Sequence, residues 1–324
     1  MKFKDLKKSL SETLERIYLV EGEDAFLRDT AVRLIKQKAL QEPDLNLTNL
    51  YGQDIKADPE QLLTATESYP FLSERRYVVL RDYYPNATEL KNKAIKKVFL
   101  DPSETTVLII VNEQKCENLK KLDTVTFVDC YKAEEEVIVS YLKRRALDEG
   151  VLITNGAIKL VLEYSNMDMT RISGEIEKLI TFVGKNAEIT EETVDLLVSK
   201  SQDFQVYELT EAIGKRDYGK SFEILSELLN KNQDKQRLFI SVYYHFRRLL
   251  HVAVSGATNQ ELATALETKD FVIKKAREQA KRFTPKRLKQ ICDKLSYYDG
   301  AFKSGELSVD TALWNSILNT MVNE

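Results

Sequence analysis

The chain holds little of what metal-binding and nucleophilic chemistry requires: 3 cysteines and 2 histidines in 324 residues. Cys116, Cys130 and Cys292 are odd in number and irregularly spaced, which argues against a disulfide framework and against a cysteine-rich zinc site. Reduced, buried thiols of a cytoplasmic protein are the reading that remains. His245 and His251 lie six positions apart in YYHFRRLLHVAV, a spacing that does not set both on one helix face as four would. Partly buried or interfacial rings fit them better than metal ligands. No G-x-S-x-G elbow is present, so the strained nucleophile turn of an α/β-hydrolase is missing. No run approaches the ~18 apolar residues of a membrane span, and the opening MKFKDLKKSLSETL lacks the apolar core of a secretory signal. The expectation is a soluble protein without membrane contact. A net charge of −3 gives no global attraction to nucleic acid, so any basic surface must be local. With 11 glycines, 6 prolines and no low-complexity linker, the domains are expected to pack rather than to be loosely tethered.

What is present is globular: 43% hydrophobic and 31% charged, and long enough for two or three cores. Five short apolar runs, IYLV, LNLTNLYG, RRYVVLRD, TTVLIIVNE and TVTFVDCYK, alternate with helical patterns up to residue 132. Their β-branched and aliphatic content predicts a parallel sheet covered on both faces, a three-layer α/β domain. DPEQLLTATES reads as a helix with Asp58 as N-cap and Pro59 at its first position. From Ala133 onward the pattern is helical only, beginning with AEEEVIVSYLKRRALDEG, whose acids precede its bases as the helix dipole favours. Domains over 1–132, 133–203 and 204–324 follow: one α/β and two helical.

IYLVEGEDAFLRD, from Ile17 to Asp29, has the strand, turn and helix of a nucleotide-binding domain without its chemistry. A P-loop places G-x-x-x-x-G-K-[ST] there, so that backbone N–H groups, a Lys and a hydroxyl meet phosphate and magnesium. This turn offers Glu21, Glu23 and Asp24, three carboxylates that would repel a triphosphate. A second NTPase feature, an apolar strand ending in Asp-Glu, is reduced to YVVLRDYY, where Asp82 reads as a strand-end carboxylate. Acidic pairs in EEEVIV and TEET fall in first helical turns, where capping explains them. No catalytic residue, cofactor or metal ligand is expected.

Two stretches stand out instead. In ESYPFLSERRYVVL, Pro70 ends the preceding helix and leaves Tyr69, Phe71 and Leu72 in a connection. The bare residues allow either an exposed pair at Phe71 and Leu72 or a pair folded back onto the sheet as core. Between Phe271 and Lys289 the chain carries Lys274, Lys275, Arg277, Lys281, Arg282, Lys286, Arg287 and Lys289 against the single acid Glu278. With the preceding TNQELATALETKD this reads as two helices and a short turn. It fits a solvated face, a surface near DNA phosphates, or the helix-turn-helix of a sequence-specific regulator.

The order of the emptied P-loop, DMTRISGEIEKL, KKAREQAKRF and DGAFKSGEL along one chain resembles the delta subunit of the bacterial DNA polymerase III clamp loader. The resemblance covers essentially the whole chain. It implies an AAA+-like α/β domain, a lid-like helical domain and a helical collar domain that joins a ring with the ATPase subunits (tau or gamma) and delta-prime. It implies a role in binding and opening the sliding clamp, the beta subunit, for loading onto primed DNA, in the cytoplasm and at the nucleoid during replication. It places the clamp contact at Tyr69, Pro70, Phe71 and Leu72, with a large apolar pair wedged into a clamp pocket, and leaves open which side chain goes deepest. It allows a DNA-proximal role for Lys274, Lys275, Arg277, Lys281 and Arg282, with Phe271 either stacking near a primer end or packing into the core, while ATP hydrolysis belongs to other subunits. The rival readings are an active AAA+ ATPase of another assembly and the helix-turn-helix regulator.

Overall fold

The computed structural model describes residues 1–40, 42–131, 133–231, 234–268 and 270–322. The chain forms two compact units, Met1–Leu162 with Met167–Leu197, and Glu163–Asn166 with Val198–Glu324. Lys132, where the sequence reading placed its first boundary, lies outside the described residues.

The first unit begins with α1 (Phe3–Glu12), β1 (Ile17–Glu21), α2 (Ala25–Gln37), α3 (Pro43–Asn46), β2 (Leu47–Tyr51), α4 (Gly52–Ala57) and α5 (Glu60–Glu67). It continues through β3 (Arg76–Arg81), α6 (Lys93–Leu100), β4 (Thr106–Asn112), α7 (Glu117–Lys120) and β5 (Thr126–Asp129). The five strands anticipated from sequence form one sheet in the order β2-β3-β4-β1-β5, with parallel pairing throughout. Every residue of β1 and β4 is buried, as expected of central strands covered on both faces. Side chains alternate across the sheet. Ile17, Leu19, Val78, Leu80, Leu108 and Ile110 therefore share one face, packed with Ile55, Leu62, Val98 and Phe99 from the helices. On the other face, α2 packs against β1, and α1 against both α2 and β5. Asp58 Oδ1 accepts from Glu60 N at 3.2 Å, but α5 begins at Glu60 with Pro59 as its N-cap and no side-chain cap bond. The expected cap at Asp58 with Pro59 at the first helical position is thus corrected by one residue: Asp58 holds the turn ahead of the helix.

Helices α8 (Glu135–Asp148), α9 (Asn155–Tyr164), α10 (Met169–Val183) and α11 (Glu191–Leu197) follow. The all-helical expectation for this stretch needs correction, because Leu152–Ile153 (β6) pairs in parallel with Glu188–Ile189 (β7). Two residues each are too few to register as a periodicity, and the pairing satisfies backbone groups where α8 and α10 end. Glu134, ahead of α8, receives Lys2 Nζ at 2.5 Å and Lys4 Nζ at 2.6 Å. Those hydrogen bonds hold its carboxyl down at about 2.

The second unit is helical: α12 (Gln202–Gly214), α13 (Tyr218–Lys231), α14 (Lys235–Val254), α15 (Asn259–Ala265), α16 (Asp270–Ala280), α17 (Pro285–Lys303) and α18 (Val309–Val322). The 20-residue α14 supplies Leu238, Phe239, Val242, Phe246, Leu249 and Val252 to its core, at the three- and four-residue intervals of a helix with one apolar face. On that core lies a buried polar group. His245 Nε2 stands 2.7 Å from Gln279 Oε1 and 3.0 Å from Thr210 Oγ1, while Gln279 Nε2 donates to Thr210 Oγ1 at 2.9 Å and to Tyr207 O at 3.0 Å. With Gln279 Oε1 as acceptor, the histidine carries its proton on Nε2. Burial, helped by the Arg248 charge, pushes its pKa down to about 4.

Candidate partner-binding site

In a parallel sheet all strands start on one edge and finish on the other, and open α/β sheets hold ligands at the finishing edge. Here that edge is closed by the protein itself. Glu21, the last residue of β1, is wholly buried. Its Oε1 meets Lys120 Nζ at 2.5 Å and accepts from Tyr131 OH at 2.8 Å, and its Oε2 accepts from Cys116 N at 2.6 Å. Lys120 also lies 4.4 Å from the centroid of the Phe127 ring. Burial, reinforced by the hydrogen bond to Glu21, drives the Tyr131 phenol above its ordinary pKa and keeps it a donor. This corrects the expectation that Glu21, Glu23 and Asp24 act together as three carboxylates facing a triphosphate. Only Glu23 is exposed, Asp24 accepts from Leu27 N at 3.1 Å as the N-cap of α2, and Glu21 is neutralised from within. The turn between them is tight: Gly22 has φ +152, and a Cβ there would lie 2.0 Å from the Cys130 carbonyl carbon. A side chain at this position would force β1 and β5 apart. Asp82 sits in an exposed turn with φ 54, and a second buried polar group at this edge, beside Glu21, is Asn112. It receives Tyr83 N at 3.0 Å and donates to Tyr83 O at 2.8 Å.

The opposite edge carries the apolar connection. After α5 ends at Glu67 the chain runs through Ser68–Arg75 into β3, and Tyr69, Phe71 and Leu72 are 86%, 55% and 81% exposed. Pro70 is half-buried. Neither Phe71 nor Leu72 is folded back into the core. Leu72 adopts φ 47, a left-handed conformation that costs a branched side chain energy and turns it outward. What fixes this loop is Asn46, the fully buried last residue of α3. Its Oδ1 accepts from Phe71 N at 2.7 Å and its Nδ2 donates to Phe71 O at 2.9 Å. Because β2 pairs with β3, with Leu47 opposite Tyr77, the residues preceding the two strands meet. Leu45, next to Asn46, is itself 56% exposed and extends the apolar patch. Isolated exposed leucines are ordinary, but four large side chains gathered on one loop and its neighbour suit a partner.

The basic run is more engaged than its composition suggested. Arg277 Nε donates to Asn259 Oδ1 at 2.9 Å and its Nη2 to Ala257 O at 2.8 Å, tying α16 to the start of α15. Lys275 pairs with Glu163 at 3.0 Å and lies over the rings of Phe204 and Tyr207. Arg282 pairs with Glu211 at 2.7 Å, and Lys281 with Glu278 at 2.8 Å. Phe271 is half-buried. Lys274 is exposed, with neither hydrogen bond nor ion pair among the described residues. The helix-turn-helix outline over α15 and α16 is present, yet the bases of α16 mostly serve the fold.

Sequence reasoning missed Asn46, Lys120 and Gln279 as residues that hold these places together. No local pattern marks them, since each acts on a residue far away in the chain. Among the described residues no group of three or more His, Cys, Asp and Glu could hold a metal ion. Among the described residues no helix is long and apolar enough to cross a membrane.

The family model for DNA polymerase III, delta subunit, matches residues 18–135, and that for the DNA polymerase III delta subunit, C-terminal domain, matches residues 203–320. The DNA polymerase III subunit delta of Bacillus subtilis (strain 168) is 26% identical over 320 residues, spanning 93% of this chain and 92% of that relative. A probable DNA polymerase III subunit delta of Aquifex aeolicus (strain VF5) is 23% identical over 231 residues, 67% of this chain and 64% of that one. Among solved structures, the Bacillus subtilis DNA clamp loader delta protein (YqeN) matches with a TM-score of 0.70 at 24% identity, covering 98% of this chain and 99% of that chain. That likeness speaks for the fold.

Proposed function

Since the chain belongs to the DNA polymerase III delta-subunit family, we propose that it is the clamp-loader subunit that binds and opens the sliding clamp without nucleotide chemistry of its own. The observation that carries this reading is the separation of the two edges of the sheet. The edge where a nucleotide would bind is filled by the Glu21–Lys120 pair and the Tyr131 hydroxyl. The edge away from it presents Tyr69, Phe71 and Leu72 on a loop fastened by Asn46. Exposed aromatic and aliphatic side chains on a held loop fit the anchors of an interface, which contribute most when a partner pocket desolvates them.

In this reading residues 1–132 engage the clamp, 133–203 form the lid-like part, and 204–324 form the collar that meets the ATPase subunits and delta-prime. Primed DNA then enters the assembled loader, and Lys274 is the basic residue of α16 left free for a phosphate. The subunit works in the cytoplasm, at the nucleoid during replication, with no cofactor or metal. The test is direct binding of the purified chain to its cognate sliding clamp without nucleotide. A complex at micromolar concentration, lost when Phe71 and Leu72 are both replaced by Ala, is the expected result. No complex with the intact chain would overturn the reading.

A further inference from the structure

The second unit contains a cavity of about 550 Å³ that the proposed role does not use. Its wall is the outer face of α14, where Ser241, Tyr244, Arg248 and His251 recur at three- and four-residue intervals, with Arg247 beside them. Asp203 from the first turn of α12 and Glu267 from the turn after α15 complete it.

Arg248 is the anomaly. It is half-buried, and it makes neither a hydrogen bond nor an ion pair with any described residue. Burial lowers its pKa, and the attraction of Asp203 only partly offsets this. A guanidinium presents five N–H donors in a planar fork, and one withdrawn from water ordinarily faces a carboxylate, a phosphate or carbonyl oxygens. Asp203 does not fill that place, because its Oδ2 accepts from Asn166 Nδ2 at 2.9 Å and its Oδ1 from Ser241 Oγ at 3.4 Å. Nor is the fork satisfied from its other side. There Arg248 borders a second cavity of about 80 Å³ whose walls include the rings of Phe204, Tyr207 and Phe271.

We propose that this cavity binds a phosphate group, with the Arg248 fork as its principal contact and Arg247, Tyr244 and His251 as further donors. Tetrahedral phosphate offers oxygens in several directions, and the donors here converge from several positions on α14; a planar carboxylate would use the fork and leave the rest idle. The cavity is far larger than one phosphate ion, so the phosphate belongs to a larger molecule, a phosphomonoester. Asp203 and Glu267 balance the two arginines, which selects a single phosphoryl group over a polyphosphate. Two sources share this chemistry: a free mononucleotide, and the phosphorylated end of a nucleic-acid strand.

The test uses the full chain at constant ionic strength, titrated with inorganic phosphate, with adenosine monophosphate, and with an oligonucleotide bearing either a 5′-phosphate or a 5′-hydroxyl. Binding is read by calorimetry and by the shift in melting temperature. The expected result is saturable binding of the phosphate-bearing probes, weakened about tenfold or more in Arg248→Gln, as suits loss of a bidentate charge-assisted contact, and unchanged in Lys143→Gln, which alters an exposed base of α8 in the first unit. Preference for the 5′-phosphorylated strand over both adenosine monophosphate and the 5′-hydroxyl strand assigns the site to strand ends. Equal binding of the monophosphate assigns it to free nucleotide. If Arg248→Gln does not fold, Arg247→Gln is read in its place. No saturable binding at tens of millimolar phosphate, or equal binding by the variant and the parent, would overturn the proposal.

Discussion

Asn46 grips Phe71 by its backbone, accepting its N–H at 2.7 Å and donating to its carbonyl at 2.9 Å, and leaves its ring free. The pairing imitates one rung of a sheet ladder, made by a side chain that is completely buried. It separates two tasks: the main chain of the loop is satisfied internally, and its apolar side chains remain available. A loop held in this way loses little further freedom when a partner binds, and that economy is worth affinity.

Replacing Asn46 by Ala should therefore act twice. It strips partners from two backbone groups at the foot of β3, which should destabilise the first unit by about 1–3 kcal/mol in chemical denaturation. It also frees the loop, so clamp affinity measured by calorimetry should fall about tenfold at a temperature where the variant is folded, since each residue ordered on binding costs about 1–2 kcal/mol.

Phe71→Ala combined with Leu72→Gly should lose clamp binding with no loss of stability. Glycine takes the left-handed φ of 47 at position 72 without strain, so this substitution is favourable for the fold. Loss of one anchor of about 2 kcal/mol already weakens binding roughly thirtyfold. A variant that melts early would mark the pair as structural, and one that binds normally would move the contact elsewhere.

Lys120→Met leaves Glu21 as a buried charge with hydrogen bonds and no counter-ion. Because Lys120 keeps 20% of its side chain exposed, the expected cost is about 3 kcal/mol, at the low end for a broken buried pair. Adding Glu21→Gln should recover most of it, because the uncompensated charge is gone. ATP should fail to bind the parent and both variants in calorimetric titration.

The buried His245 should give the second unit a stability that depends on pH. Its folded pKa of about 4 lies below the ordinary value of ~6.5, so the unfolded chain takes up the proton first on acidification. The contribution is complete above about pH 6.5 and is lost as pH falls toward 4, amounting to on the order of 3 kcal/mol. Denaturation at pH 6.5 and pH 5, above most carboxylate titration, should show the decline. His245→Gln should flatten it.

Within the basic run, Arg277→Ala should lower stability by about 1–3 kcal/mol, since Asn259 and the Ala257 carbonyl lose their donor. Lys274→Ala should leave the melting temperature unchanged. If α16 lies near DNA in the assembled loader, Lys274→Ala should weaken binding there equally for all sequences and reduce the salt slope by about one phosphate contact.

The five strands, the break at Pro70 and the emptied phosphate loop were all legible in the chain, because each depends on residues within one or two turns of each other. Alternation, β-branching and a missing Lys are local facts. The pairing of Glu21 with Lys120, of Asn46 with Phe71 and of His245 with Gln279 was not legible, for these side chains meet only after strands take their register and helices their packing. The turn at Glu21 looked like open negative charge until β1 buried it against α7. The run after Phe271 looked like one basic face until α12 and α15 supplied partners for Lys275, Arg277 and Arg282. Hydrophobic periodicity tells which face of an element turns inward, whereas the partner of a polar group is decided by what the fold brings within about 3 Å of it.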